Sequence, residues 1–175
     1  MDKRFVLSMA GAAGAAMAAP ALAEDITITL HLDFWAGEYG MSMSNGSGGI
    51  SGFASSGYLV LLSSGTASVT GSSLNLWNSS ASSPYTSGYR YEIFASVDSG
   101  TYDVLLTDTY GDGWNWASVG GSDAFVISGN VSGDTTIAFF SSAGFSTSGT
   151  VNVAPAPGAL ALLGLAGIAG RRKRK

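Results

Sequence analysis

Residues 25–32 read DITITLHL, and the order of their side chains decides what kind of fold the chain can adopt. Ile26, Ile28, Leu30 and Leu32 fall on one face of an extended segment, with Thr27, Thr29 and His31 on the other. That period-two alternation is the signature of a half-buried β-strand. The pattern recurs outward along the chain. In YGMSMS (39–44), Met41 and Met43 alternate with serines. YLVLL (58–62), SLNLW (73–77), YRYEIFAS (89–96), TYDVLLT (101–107), DAFVIS (123–128), TTIAFF (135–140) and GTVNV (149–153) are further short apolar or alternating runs. Gly, Ser and Asn separate them, and no helical period intervenes. Many short strands divided by turn signals predict an all-β protein, a single antiparallel β-sandwich of jelly-roll-like type. Asn45-Gly46 within SNGSGG (44–49) is a two-residue hairpin signal, and NSSASSPYTSG (78–88) reads as a surface loop.

The ends of the chain differ from this pattern. Lys3 and Arg4, the apolar run FVLSMAGAAGAAMAA and the small-x-small ALA (21–23) compose a secretory signal peptide over 1–23, with cleavage expected between Ala23 and Glu24. At the other end, VAPAPGALALLGLAGIAGRRKRK is a Pro-containing hinge, an apolar stretch and then five consecutive cations, Arg171, Arg172, Lys173, Arg174 and Lys175. Apolar residues followed at once by Lys and Arg compose a stop-transfer segment with its basic end in the cytoplasm. The segment is expected to form an apolar helix that anchors the chain transiently.

Between the ends lie residues 24–153, the size of one domain. Seven of the eight Lys and Arg lie in the two ends, and only Asp2 of the twelve acids does, so the middle carries eleven acids against Arg90 alone. A domain that acidic is unsuited to nucleic acid, whose binding requires cations that displace counterions; it suits an exported protein or one that binds divalent cations. Cys is absent, so no disulfide supports the fold.

The strand TYDVLLT leads into DTYGDGWN (108–115), where Gly111 and Gly113 permit a sharp bend and Asp108 and Asp112 are placed to accept nearby backbone amides. Two readings stand side by side. One is a well-made turn with Trp114 folded onto the sandwich edge. The other is a Ca2+ loop, because Ca2+ takes six to eight hard oxygen ligands and Asp108, Asp112 and the Asn115 amide supply several. An EF-hand does not fit: counted from Asp108, the third position is Tyr110 and the twelfth Val119. Further ligands must come from elsewhere, and DFWAGEYG (33–40), which follows the first strand, carries Asp33 and Glu38. Two acid-bearing loops meeting at one rim would repel, and a divalent ion would remove that penalty.

The tail from Ala154 to Lys175 resembles the PEP-CTERM sorting signal of exported Gram-negative bacterial proteins, with Pro155, Ala156 and Pro157 in the place of its name-giving tripeptide and Ala156 where that signal has Glu. The resemblance implies an exosortase-type processing enzyme as partner. It also implies transient residence in the inner membrane, final location at the cell surface or outside it, and association with extracellular polysaccharide. The middle resembles a family of extracellular β-sandwich modules whose segments read D-x-Y-P-x-E-x-x-W and G-x-Y-x-L-x-x-x-D-x-Y-G-D-G-W-N-G. DFWAGEYGM supplies Asp33, Trp35 and Glu38, with Ala36 and Met41 as departures. GTYDVLLTDTYGDGWNW supplies Gly100, Tyr102 and Asp108 through Asn115 except Thr109, with Val104 at the Leu position and Trp116 in place of the last Gly. Such modules occur on secreted, surface and adhesin-like proteins.

For function, the expectation is a secreted, surface or matrix module, structural or adhesive, stabilised by Ca2+. The alternative is a carbohydrate-binding module offering the flat faces of Trp35, Trp114 and Trp116, with Trp77 and Tyr85 as further aromatics. Catalysis is the weakest reading. His31 is the only histidine and is the polar member of a strand alternation, while a small hydrolase would require a cleft with two facing carboxylates.

Overall fold

The structure is a computed structural model that describes residues 23–33, 35–55, 58–77, 88–114, 123–139, 144–156 and 158. Eleven strands follow in order: β1 (Ala23–Asp33), β2 (Tyr39–Asn45), β3 (Gly48–Ser55), β4 (Tyr58–Gly65), β5 (Ser68–Trp77), β6 (Gly88–Asp98), β7 (Gly100–Asp108), β8 (Phe125–Gly129), β9 (Val131–Gly133), β10 (Thr136–Ile137) and β11 (Ser146–Val153). They form a five-stranded sheet ordered β10-β8-β1-β6-β5 and a six-stranded sheet ordered β4-β3-β2-β7-β11-β9. The pairings within both are antiparallel. The chain changes sheet at β1–β2, at β4–β5 and at every connection from β6 onward.

Alternation drives the layering. Ile26, Ile28, Leu30 and Leu32 of β1, Met41 and Met43 of β2, Tyr91, Ile93, Ala95 and Val97 of β6, and Tyr102, Val104 and Leu106 of β7 join one buried core. Each large side chain so buried contributes about 1.5–3 kcal/mol, which in a chain without cysteine is the main source of stability. Between them the outward-facing positions include Thr27, Thr29, Ser42, Ser44, Ser96, Thr101 and Thr107.

The elements depart from sequence expectation in a few places. GGISGFAS forms β3, which its Gly and Ser content had disguised, and a short β9 follows β8. The TTIAFF run contributes only the two-residue β10. The hairpin at SNGSGG exists, but Asn45 pairs with Gly48, so Gly46 and Ser47 form its loop. The Asn45 side-chain oxygen accepts from the Ser47 and Gly48 amides. Residues 78–87, the signal segment 1–22, Pro157 and the basic tail Arg171–Lys175 lie outside the described residues, as does the apolar sorting helix expected before that tail. Among the described residues no helix is long and apolar enough to cross a membrane.

Topology places the acid-bearing bends. β1 ends at Asp33 in one sheet, and the chain crosses to β2 in the other through a 3-10 turn, Ala36–Glu38. Tyr39, the first residue of β2, pairs with Asp108, the last residue of β7. Both bends therefore leave the same end of the sandwich.

Candidate metal centre

Backbone bonds lock the two bends together. The Glu38 carbonyl accepts from the Thr109 amide at 3.0 Å and from the Thr109 hydroxyl at 3.2 Å. Within the second bend, the Asp108 carboxylate accepts from the Tyr110 amide at 2.9 Å and the Gly113 amide at 2.6 Å. Asp108 is 1% exposed, and two charge-assisted amide bonds offset the cost of burying it. Trp114 closes the bend from beneath. Its amide donates to the Phe139 carbonyl at 2.8 Å and its Nε1 to the Thr107 carbonyl at 3.3 Å, and its ring packs 5.0 Å from Tyr39 and 5.8 Å from Phe139.

Above this base, carboxylate oxygens of Glu38, Asp108 and Asp112 lie within 4.8 Å of one another. Asp33 is buried beside them. Its Oδ1 accepts from the Trp35 amide at 2.7 Å, and the Tyr39 hydroxyl stands between its carboxyl and the Gly113 carbonyl. Burial lifts the Asp33 carboxyl to about 6, against the Tyr39 and Trp35 hydrogen bonds and with help from the Asp112 and Asp108 charges. Glu38 is pushed up by burial and by Asp33, Asp108 and Asp112. Asp112 is raised by burial and then by Asp108. Burial also drives the Tyr39 phenol upward, reinforced by Asp33, so it remains a neutral donor.

Among the described residues no side-chain cation relieves this crowding. Arg90 is the only Lys or Arg between residues 24 and 153, and its guanidinium is held by Glu92 at 2.7 Å. Among the described residues Asp112 Oδ1 is buried without a hydrogen-bond partner, an arrangement that is unfavourable for a charged group. The donor set is all oxygen, which suits Ca2+ or Mg2+ and not the softer metals. Oxygens on opposite sides of a Ca2+ stand up to about 5 Å apart, a span that accommodates the Glu38, Asp108 and Asp112 carboxylates around one ion.

Of the residues singled out in the sequence, Asp33, Glu38, Asp108 and Asp112 are brought together; Asn115 and Trp116 lie outside the described residues. Trp35 is 40% exposed at the corner. Trp114 corrects the sugar-platform reading: it is 1% exposed, with Tyr39 and Phe139 against its ring. His31 sits opposite Arg90, with its Nδ1 2.7 Å from the Asp123 carbonyl. Sequence reasoning missed Tyr39, whose hydroxyl joins the two bends. Its signal was its place directly after Glu38 as the first inward residue of β2. At the far end, Ala23 and Glu24 begin β1, and Glu24 Oε1 accepts from the Ala156 amide at 2.7 Å. The Asn130 side chain there donates to the Ala154 and Pro155 carbonyls.

No family model, curated protein or solved structure matches the chain. Fold and site together define an all-β, two-sheet protein with a carboxylate-rich corner.

Proposed function

We propose that this is an exported, non-catalytic β-sandwich module, structural or adhesive in role, whose corner binds Ca2+ through Glu38, Asp108 and Asp112, with Asp33 behind them. The observation that carries the reading is Asp112 Oδ1, buried and without a partner inside a cluster of carboxylates that no cation offsets among the described residues. The ion would join the β1–β2 corner to the β7 bend, so that binding energy becomes folding energy. The signal-like N-terminus and the basic-tailed apolar C-terminus support export.

Terbium luminescence tests this directly. Tb3+ replaces Ca2+ at oxygen sites, and Tyr39 and Trp114 lie close enough to sensitise it. Sensitised emission that Ca2+ displaces, and that Asp112→Asn reduces at least about tenfold in affinity, is the expected outcome. Emission that is absent, or unchanged in Asp112→Asn, would remove the site.

Carbohydrate binding at the same corner is the second reading, favoured by the exposure of Trp35 (40%) and Tyr110 (72%) beside the carboxylates. Glycan-array binding that Trp35→Ala and Tyr110→Ala both weaken would establish it.

A further inference from the structure

A sandwich has four sheet edges, and three of them carry a device against pairing with another chain. β9 has three residues and β10 two, too short to template a new strand. β5 has a register break between Val69 and Gly71, the bulge that twists an edge away from a partner. The fourth edge, β4, has eight residues, Tyr58–Gly65, in unbroken register with β3. It carries neither charge nor proline. Among the described residues nothing pairs with its outer side.

Its surroundings share that character. No Asp, Glu, Lys, Arg or His occurs in the 51 residues from Tyr39 to Tyr89, where an ordinary domain would hold about a dozen charges. The topology gathers the strands of this run that precede β6 on one side: β4, β3 and β2 are half of the six-stranded sheet, and β5 is the neighbouring edge of the other. The outward face there bears Val60 (40% exposed), Leu62 (57%) and Phe53 (49%), with Val60 directly opposite Phe53. The acids occupy the remaining strands and bends.

We propose that β4 is a self-association edge, through which two copies of this chain pair antiparallel about a twofold axis and join their six-stranded sheets into one. Charge chooses the occupant and the side. Each copy carries eleven acids against one cation over residues 24–153, so copies repel wherever acidic surfaces meet and approach without that cost only through the uncharged side. A twofold places the same strand on both partners, and antiparallel pairing is its natural geometry. With Leu61 on the axis, Val60 of one copy stands opposite Leu62 of the other. Their apolar side chains then cover each other, while the edge amides and carbonyls find partners.

Sedimentation velocity of the full chain over a range of concentrations tests the proposal, beside the double variant Val60→Lys, Leu62→Lys and the control Leu105→Lys. Leu105 is comparably exposed (43%) but sits on the interior strand β7. A concentration-dependent dimer, weakened at least about tenfold by the β4 lysines and untouched by Leu105→Lys, supports it. A wild-type chain that stays monomeric overturns it, as does a dimer indifferent to the β4 lysines. Hydrogen exchange on the wild type gives a second measurement should the double variant not fold. Protection of the β4 amides that grows with concentration agrees with the proposal. Protection already complete in dilute monomer means that another part of the same chain covers the edge, and it contradicts the proposal.

Discussion

Gly111 takes φ +87° and Gly113 φ +80°, conformations that cost side-chain-bearing residues about 1 kcal/mol or more. A Cβ at position 111 would also stand 2.7 Å from the Phe145 ring. Gly111→Ala should therefore lower stability by about 1–2 kcal/mol and displace the Asp112 carboxylate from its neighbours, measured by denaturant unfolding and by metal affinity together. The Asp33 carboxyl sets a second residue-level expectation. Its displacement from 3.8 to about 6 in the folded protein means that the native state holds a proton which the unfolded state releases. In that window stability falls as pH rises, by at most about 3 kcal/mol. Without metal, the protein should melt at a higher temperature at pH 4.5 than at pH 7. If Ca2+ binds as we propose, it should reverse the order, because it takes the deprotonated acids.

At the scale of elements, β1 was legible because its alternation is complete, with Ile26, Ile28, Leu30 and Leu32 all buried. β7 was legible for the same reason. β3 was not: of its inward positions, Ile50 is large but Gly52 is bare, so its strand character comes from pairing with β2 and β4 rather than from its own pattern. The acid-bearing bends were legible as acids near strand ends. Their meeting was not, because it depends on the register that sets Tyr39 opposite Asp108. In the DTYGDGWN bend Trp114 is packed beneath, as the turn reading expects, and the carboxylates gather above, where the calcium reading is a proposal. Trp114 fills the space between Tyr39 and Phe139, and Trp114→Ala should cost about 3–5 kcal/mol. It should also weaken Ca2+ binding, because the bend rests on that ring.

Across the described residues, β1 runs from the segment Ala154–Ala156 at one end to the carboxylates at the other, about 33 Å for its length at ~3.3 Å per residue. A chain held by its C-terminal segment would thus present its acidic corner away from the attachment. The segment after β11 stays fastened as far as Ala156 by Asn130 and Glu24. Asn130→Ala should therefore speed cleavage near Ala154–Gly158 by a broad-specificity protease and leave the carboxylate corner's metal affinity unchanged.

We propose that a divalent ion completes the fold at the meeting of two distant bends, and thermal melting of the chain at pH 7, in millimolar calcium and in chelator, tests this most directly. The expected result is a melting temperature raised by several degrees in calcium, an increase that saturates with concentration and is absent in Asp112→Asn. Superimposable melts in calcium and chelator would contradict it.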